Sequence, residues 1–190
     1  MAMLEADHLS IGYQTRRGLL WAVEDVSFSL DTGGSLGFVG ESGCGKTTIG
    51  MSLMGLLPAN GSILGGEIRY KGRSLFDLSE EERRDLRWKK ISMIFQAAMN
   101  ALNPIQRVGN QIVEAIRIHE PQTSPAQARE RVEGLFSLVG LDPARSRDYP
   151  HQYSGGMKQR AIIAMALACR PEVIIADEPT TALDVTVQSQ

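Results

Sequence analysis

The chain has 190 residues, 43% hydrophobic and 22% charged, with a net charge of -2. These values suit a globular fold of one domain, with or without an inserted subdomain. They exclude a chain built for wholesale electrostatic capture of nucleic acid or anionic lipid.

The two cysteines, Cys44 and Cys169, lie far apart and match no metal-ligand spacing. Free thiols in a reducing, cytosolic compartment are the expectation. The opening MAMLEADHLS lacks a basic region followed by an apolar run, so no leader peptide is expected. The longest mostly apolar stretch, Ala161–Cys169, is too short to span a bilayer. Any link to a membrane is expected to run through partner subunits.

In chain order, Leu4–Leu30 reads as strands, with Val23, Val26, Phe28 and Leu30 alternating against polar residues and a turn over Gln14–Gly18. Asp31–Gly34 reads as a turn. The apolar run Leu36–Val39 is expected as a strand feeding the glycine-rich Gly40–Gly45. A helix is expected from Thr47 to Leu57, stopped by Pro58-Ala59-Asn60-Gly61.

GEIRYKG (Gly66–Gly72) reads as a short strand, and Ser79–Glu82 has capping-box spacing for a charged helix. ISMIF (Ile91–Phe95) is a compact buried strand. From Gln96 to about Tyr153 the pattern is helical with loops. One helix there has Ser124 as N-cap, Pro125 at its first position, Gln127 closing the box and Gly140 as the stop. Ala128, Val132, Leu135, Phe136 and Val139 form its apolar face. Gly134 lies inside it at a cost of roughly 1 kcal/mol relative to alanine. Another helix is expected over Ser154–Arg170, followed by a non-alternating buried strand, Val173–Ala176. This order is α/β with a helical insertion.

Gly40-Glu41-Ser42-Gly43-Cys44-Gly45-Lys46-Thr47 fits G-x-x-x-x-G-K-[ST]. A triphosphate needs several donors aimed inward at once. Glycines let the backbone curl so that successive N–H groups face one anion, and the following helix adds the positive end of its dipole. Lys46 supplies charge for the β- and γ-phosphates, and the Thr47 hydroxyl is a magnesium ligand. Ser42, Cys44 and Thr48 complete the phosphate-binding set. Cys44 fills a tolerant loop position, and no redox role is assigned to it.

Val173–Ala176 ends in Asp177-Glu178, and chemistry in open α/β sheets sits at the carboxyl ends of strands. Asp177 is placed to hold magnesium and Glu178 to orient or activate an attacking water. In a third segment, Tyr153–Arg160 (YSGGMKQR), Ser154 is a good N-cap. Gly155-Gly156 permit close approach of an anion to bare N–H groups at a helix start.

Together these segments resemble the ATP-binding cassettes, in which a motif like YSGGMKQR lies just upstream of the acidic strand. The resemblance implies a P-loop ATPase fold: an antiparallel N-terminal β subdomain and P-loop core (1–95), a helical subdomain (96–170), then the acidic strand and the loop after it (171–190). It implies ATP and magnesium as ligands and a head-to-tail dimer with a second cassette. Ser154, Gly155 and Gly156 of one cassette then cover the γ-phosphate held by the other's P-loop. Gln96 resembles the glutamine that senses magnesium and water, which makes it both a catalytic and a metal-binding candidate beside Glu178 and Lys46. Tyr13 resembles the aromatic residue that stacks on adenine, and Thr181–Asp184 the loop that crosses the dimer interface. Tyr153 departs from the leucine more common at its position.

GESGCGKTT, ISMIFQAAMNALNP, DYPHQYSGGMKQR and ADEPTTALDVTVQ resemble the ATPases of the oligopeptide/dipeptide importer branch, which includes nickel and some oligosaccharide importers. That branch implies two transmembrane permease subunits, a solute-binding protein reached indirectly, no nucleic acid, and a place on the cytoplasmic face of the membrane. The competing readings are a soluble cassette acting on ribosomes or DNA, a P-loop kinase or GTPase, and a non-catalytic nucleotide-binding fragment. Sustained heptads and a basic block would favour the first, but neither is present. The kinase or GTPase reading leaves YSGGMKQR unexplained.

The family's switch histidine follows the acidic pair, whereas His8, His119 and His151 all precede Asp177. The 190 residues by themselves are therefore expected to be unstable or inactive as an ATPase, with a gap in the sheet beside the P-loop strand.

Overall fold

The computed structural model describes residues 2–95 and 101–178. The chain divides into two compact units, Met1–Arg84 and Asp85–Gln190. Each is described by itself.

The first unit is built on an antiparallel sheet of order β2-β1-β3-β4. Strands β1 (Ala2–Thr15) and β2 (Gly18–Asp31) form a long hairpin, and β1 also pairs with β3 (Gly61–Tyr70). The expected alternation holds. Leu4, Ala6, Leu9 and Ile11 are buried, and Val23, Val26, Phe28 and Leu30 point inward between exposed neighbours. Two of the four register shifts in the hairpin offset each other. His8 (φ 49°) adds a residue on β1 and Asp25 (φ 51°) adds one on β2, and the His8 Nδ1 to Asp25 Oδ1 distance is 2.5 Å. The second insertion compensates the first, so the buried side chains stay on one face.

Asp31–Gly34 turns as expected, with the Gly34 N–H donating to the Asp31 carbonyl. Strand β3 begins five residues before the expected GEIRYKG. It turns at Lys71 (φ 50°) and Gly72 (φ 78°) into β4 (Arg73–Ser74).

Two expectations in this unit are corrected. Leu36–Val39 is not a strand: residues 34–40 carry no regular structure, and Val39 is fully exposed. An apolar run becomes a strand only where a neighbour completes its hydrogen-bond ladder, and no described strand lies beside this one. Phe38 rests edge-on against Phe28 instead, ring centroids 5.0 Å apart. The following helix, α1 (Lys46–Leu53), ends four residues early. Gly55 takes a left-handed conformation, its N–H donates to the Ser52 carbonyl, and the Leu56 N–H donates to the Met51 carbonyl. This pair of bonds is a Schellman stop, which acts before the proline does.

Helix α2 (Glu80–Lys89) carries the expected capping box: Glu82 N–H donates to Ser79 Oγ and Ser79 N–H to the Glu82 carboxylate, 3.3 and 2.8 Å. That bond and Arg73 hold the Glu82 carboxyl down at about 2. The helix breaks at Arg87 and Trp88, the latter at φ 69°.

The second unit places a parallel pair, β5 (Ile91–Ile94) and β6 (Val173–Ala176), with α3 (Val108–His119), α4 (Pro125–Leu138) and α5 (Gly155–Ala166). Its core comes from the expected face of α4 (Ala128, Val132 and Phe136) against Val108, Ile112 and Ile116 of α3 and Ala161 and Ala164 of α5. The small residues of α5 allow close helix approach. The α4 capping box forms as read, Ser124 with Gln127, and Gly140 (φ 70°) closes it with a second Schellman stop. Helix α5 is shorter than expected, ending at Ala166 with Leu167 as C-cap.

Two arginines join α4 to α5. Arg131 on α4 forms a two-pronged ion pair with Glu120, 2.8 and 2.9 Å, and also donates to the Ala168 carbonyl just past the end of α5. The Arg131 fork holds the Glu120 carboxyl below its usual range. Arg160 on α5 donates in turn to the Val139 and Gly140 carbonyls at the end of α4. Each helix thus bonds carbonyls at or just past the end of the other.

Gly134 is exposed on α4, and a β-carbon there would meet nothing within 4 Å. Gly134→Ala is therefore expected to stabilise the protein by roughly 0.5–1 kcal/mol. A urea midpoint that fell instead of rising would show that the site needs glycine.

Candidate functional site

The phosphate loop lies in the first unit. Gly45 is the N-cap of α1, at φ 100°. A β-carbon on it would come within 2.4 Å of the Ala22 carbonyl on β2, so both conformation and space require glycine. This close approach seats the loop against the sheet. The Ile49 N–H donates to the Gly45 carbonyl, which starts the helix.

Lys46 folds back over the loop, and its ammonium donates to the carbonyls of Gly40 (2.8 Å) and Glu41 (2.9 Å) and lies 3.6 Å from Cys44 Sγ. A cation is thus held over the concave side of the loop by exchangeable neutral partners. An anion entering there offers it a stronger, charge-assisted partner. Ser42, Gly43, Cys44 and Thr47 are exposed, whereas Thr48 is buried. Thr48 explains the position of Tyr13. The Tyr13 hydroxyl lies 3.1 Å from Thr48 Oγ1, and its ring would meet a β-carbon on Gly61 at 2.8 Å. The tyrosine expected at adenine is therefore tied to the helix that carries the P-loop lysine.

The acidic pair lies in the second unit. The Asp177 N–H donates to the Ile94 carbonyl, 2.9 Å, extending the β5–β6 ladder by one residue. Asp177 is buried, and Glu178 turns out to solvent at φ 46°. A left-handed backbone at a non-glycine residue is a strained conformation of the kind concentrated at functional sites. Strand pairing thus fixes Asp177 at the strand mouth and directs Glu178 away from the sheet.

The third segment is the start of α5. Ser154 caps it, its Oγ accepting from the Met157 N–H at 3.3 Å. Ser154 and Gly155 are exposed and Gly156 is half-buried. No acidic side chain stands in the first turn, so the end keeps the positive potential of the helix.

The reading of residues alone missed what Tyr153 does. Its ring is buried in the helical core and its hydroxyl donates to the Arg145 carbonyl, 2.6 Å. Burial pushes its ionisation well above the usual tyrosine range. A phenol at an otherwise aliphatic position was the available signal, since a buried hydroxyl must find a partner. The tyrosine pins the cap residue to the 3-10 turn Pro143–Arg147.

Gln96 and Thr181–Asp184 lie outside the described residues. Among the described residues, no group of three or more His, Cys, Asp or Glu side chains could hold a metal. The Thr47 hydroxyl and the Asp177 carboxylate are nevertheless hard oxygen donors. Each by itself is the kind of donor that magnesium takes, one or two protein oxygens with water and phosphate making up the rest. Cys44 is an exposed free thiol, and burial pushes the Cys169 thiol up to about 11.

The ABC transporter family profile matches residues 23–181, taking in the phosphate loop, the α5 cap and the acidic pair. The chain belongs to the ABC transporter family. As a member of that family it carries a nucleotide-binding domain.

This ABC transporter chain is 49% identical over 190 residues to the dipeptide transport ATP-binding protein DppD of Lactococcus lactis subsp. cremoris, covering 99% of this chain and 54% of that one. It is 50% identical over 191 residues to the oligopeptide transport ATP-binding protein OppD of Escherichia coli, covering 100% and 56%. The chain thus spans about half the length of the curated relatives it matches. Its fold is similar to a dimeric post-hydrolysis structure of the ATP-binding cassette MJ0796 bound to ADP and Pi. The TM-score is 0.86 and the identity 26%, covering 98% of this chain and 78% of that one. The expected α/β ABC ATPase fold is borne out by this likeness. No helix among the described residues is long and apolar enough to cross a membrane.

Proposed function

We propose that this chain forms the ATP-binding and ATP-hydrolysing part of a subunit that energises an ABC importer for dipeptides or oligopeptides. The observation that carries the reading is the Lys46 ammonium, held over the P-loop on the Gly40 and Glu41 carbonyls at the start of α1. Relatives named as dipeptide, oligopeptide or peptide transport ATP-binding proteins support the solute class.

In this proposal the loop Gly40–Thr48 binds the phosphates of ATP. Lys46 leaves its carbonyl partners for the β- and γ-phosphates, and Tyr13 receives the adenine. Thr47, Asp177 and Gln96 would hold magnesium, which would supply positive charge against the phosphates. Glu178 orients the water for in-line attack on the γ-phosphate.

Ser154, Gly155 and Gly156 of a second cassette, in a head-to-tail homo- or heterodimer, complete the site. ATP-driven closure of that dimer moves two permease subunits, and hydrolysis reopens it. An extracytoplasmic solute-binding protein delivers the solute, and the subunit works at the cytoplasmic face of the membrane. Residues 1–95 form the β subdomain and P-loop core, 96–170 the helical subdomain, and 171–190 the acidic strand and interface loop.

The test is ATP binding by the full-length protein and by its Lys46→Ala variant, measured by equilibrium dialysis. A hydrogen bond to a charged group is worth about 1.5–3 kcal/mol, so affinity is expected to fall roughly 10- to 100-fold. Equal affinity in the two proteins would remove the P-loop from its role.

A further inference from the structure

The second unit carries a cavity of about 470 Å³, lined by none of the residues assigned above. Its walls come from the first turn of α3 (Gly109, Asn110), the middle of α4 and the 3-10 turn, where Ser146 lies. Three guanidinium groups line it: Arg107, Arg129 and Arg147. Glu133 is the one carboxylate beside them, so the lining is strongly cationic.

The neighbouring arginines on the same elements behave differently. Arg131 is matched to Glu120 and Arg145 to Asp148, each at hydrogen-bonding distance. No described carboxylate lies within ion-pair distance of Arg107, Arg129 or Arg147. Arg107 instead sits 5.8 Å over the Tyr149 ring, a contact that fixes its place without neutralising it.

The walls are fixed by packing. A β-carbon on Gly109 would lie 2.6 Å from the Ser146 carbonyl, so the 3-10 turn presses directly on α3. Buried Val132 and the partly buried Val113 give the cavity an apolar floor. A second hollow of about 350 Å³ shares Asn110, Val113 and Arg129 and adds Glu114, Arg117 and Ile118. The combination is one of unneutralised guanidinium forks, a firm apolar base and the volume of a small-molecule site. Planar guanidinium forks match phosphate oxygens two at a time.

We propose that this cavity binds a phosphate-bearing small anion, separate from the ATP at the P-loop. The phosphate takes the three arginines and the carbon skeleton lies on Val113 and Val132. A soluble phosphomonoester and the headgroup of an anionic phospholipid share this chemistry.

The test uses the full-length protein with Lys46→Ala in place, so that the P-loop contributes little phosphate binding. Glycerol phosphate is titrated calorimetrically. Flotation with phosphatidylglycerol vesicles is compared with phosphatidylcholine vesicles. Each measurement is repeated with Arg129→Glu and with Arg147→Glu, both exposed positions. Glycerol phosphate binding that weakens at least tenfold in both variants supports the site with a soluble ligand. Binding confined to phosphatidylglycerol vesicles and lost in both variants supports it with a lipid headgroup. Failure to bind either probe, or binding that the charge reversals leave unchanged, overturns it.

Discussion

Glu178→Gln in the full-length protein is expected to keep ATP binding and to lower phosphate release roughly 10²–10⁴-fold, the usual worth of a positioned general base. The amide keeps the size and much of the hydrogen bonding of the carboxylate but loses its basicity and charge. The residue turns outward at φ 46° after a strand whose pairing ends at Asp177. Its exposure makes an effect on folding small. Size-exclusion chromatography with ATP and magnesium should show the variant accumulating as a dimer, because closure no longer ends in cleavage. Phosphate release within twofold of the unaltered protein would remove Glu178 from catalysis.

Phe136→Ala is expected to cost about 3–5 kcal/mol, since it deletes a large aromatic side chain from a close-packed site. Phe136 is wholly buried, at the meeting of α3, α4 and α5. Its neighbours Val108, Ile112 and Ile116 are also fully buried, so little can collapse into the gap. The loss is read as a lowered urea midpoint at unchanged slope. A change below about 1 kcal/mol would mean that the three helices re-pack around the missing ring. The functional consequence is indirect. The start of α5 is presented by this core, so its Ser154 end should lose definition in step with stability.

Much of the fold could be read from local chemistry. The capping residues Ser79, Ser124 and Ser154 act within their own turn, and each forms the bond its spacing implies. The same locality made the P-loop and acidic strand legible, because both are short motifs whose backbone needs are written in glycine and in apolar runs. The run Leu36–Val39 was misread for the opposite reason. Its apolarity is local, but a strand is a property of two segments, and the partner decides. The end of α1 was misplaced because proline is the louder signal, whereas Gly55 acts first.

The reach of Arg131 to Glu120 and Ala168 joins residues 11 and 37 positions apart. No spacing rule points to it. The cap bonded by Tyr153 depends on a main-chain carbonyl, which leaves no trace in side-chain identity. At the candidate site, residue types were legible, while the folded-back lysine and the Tyr13–Thr48 link needed coordinates.

The reciprocal arginine grips between α4 and α5 have a mechanical corollary. A push delivered at the Ser154 tip is shared by both rods, because sliding one past the other would have to strip guanidinium groups from carbonyls at two ends simultaneously. Relative sliding of α4 and α5 therefore costs bonds at both places, which ties the position of the Ser154 end to that of α4.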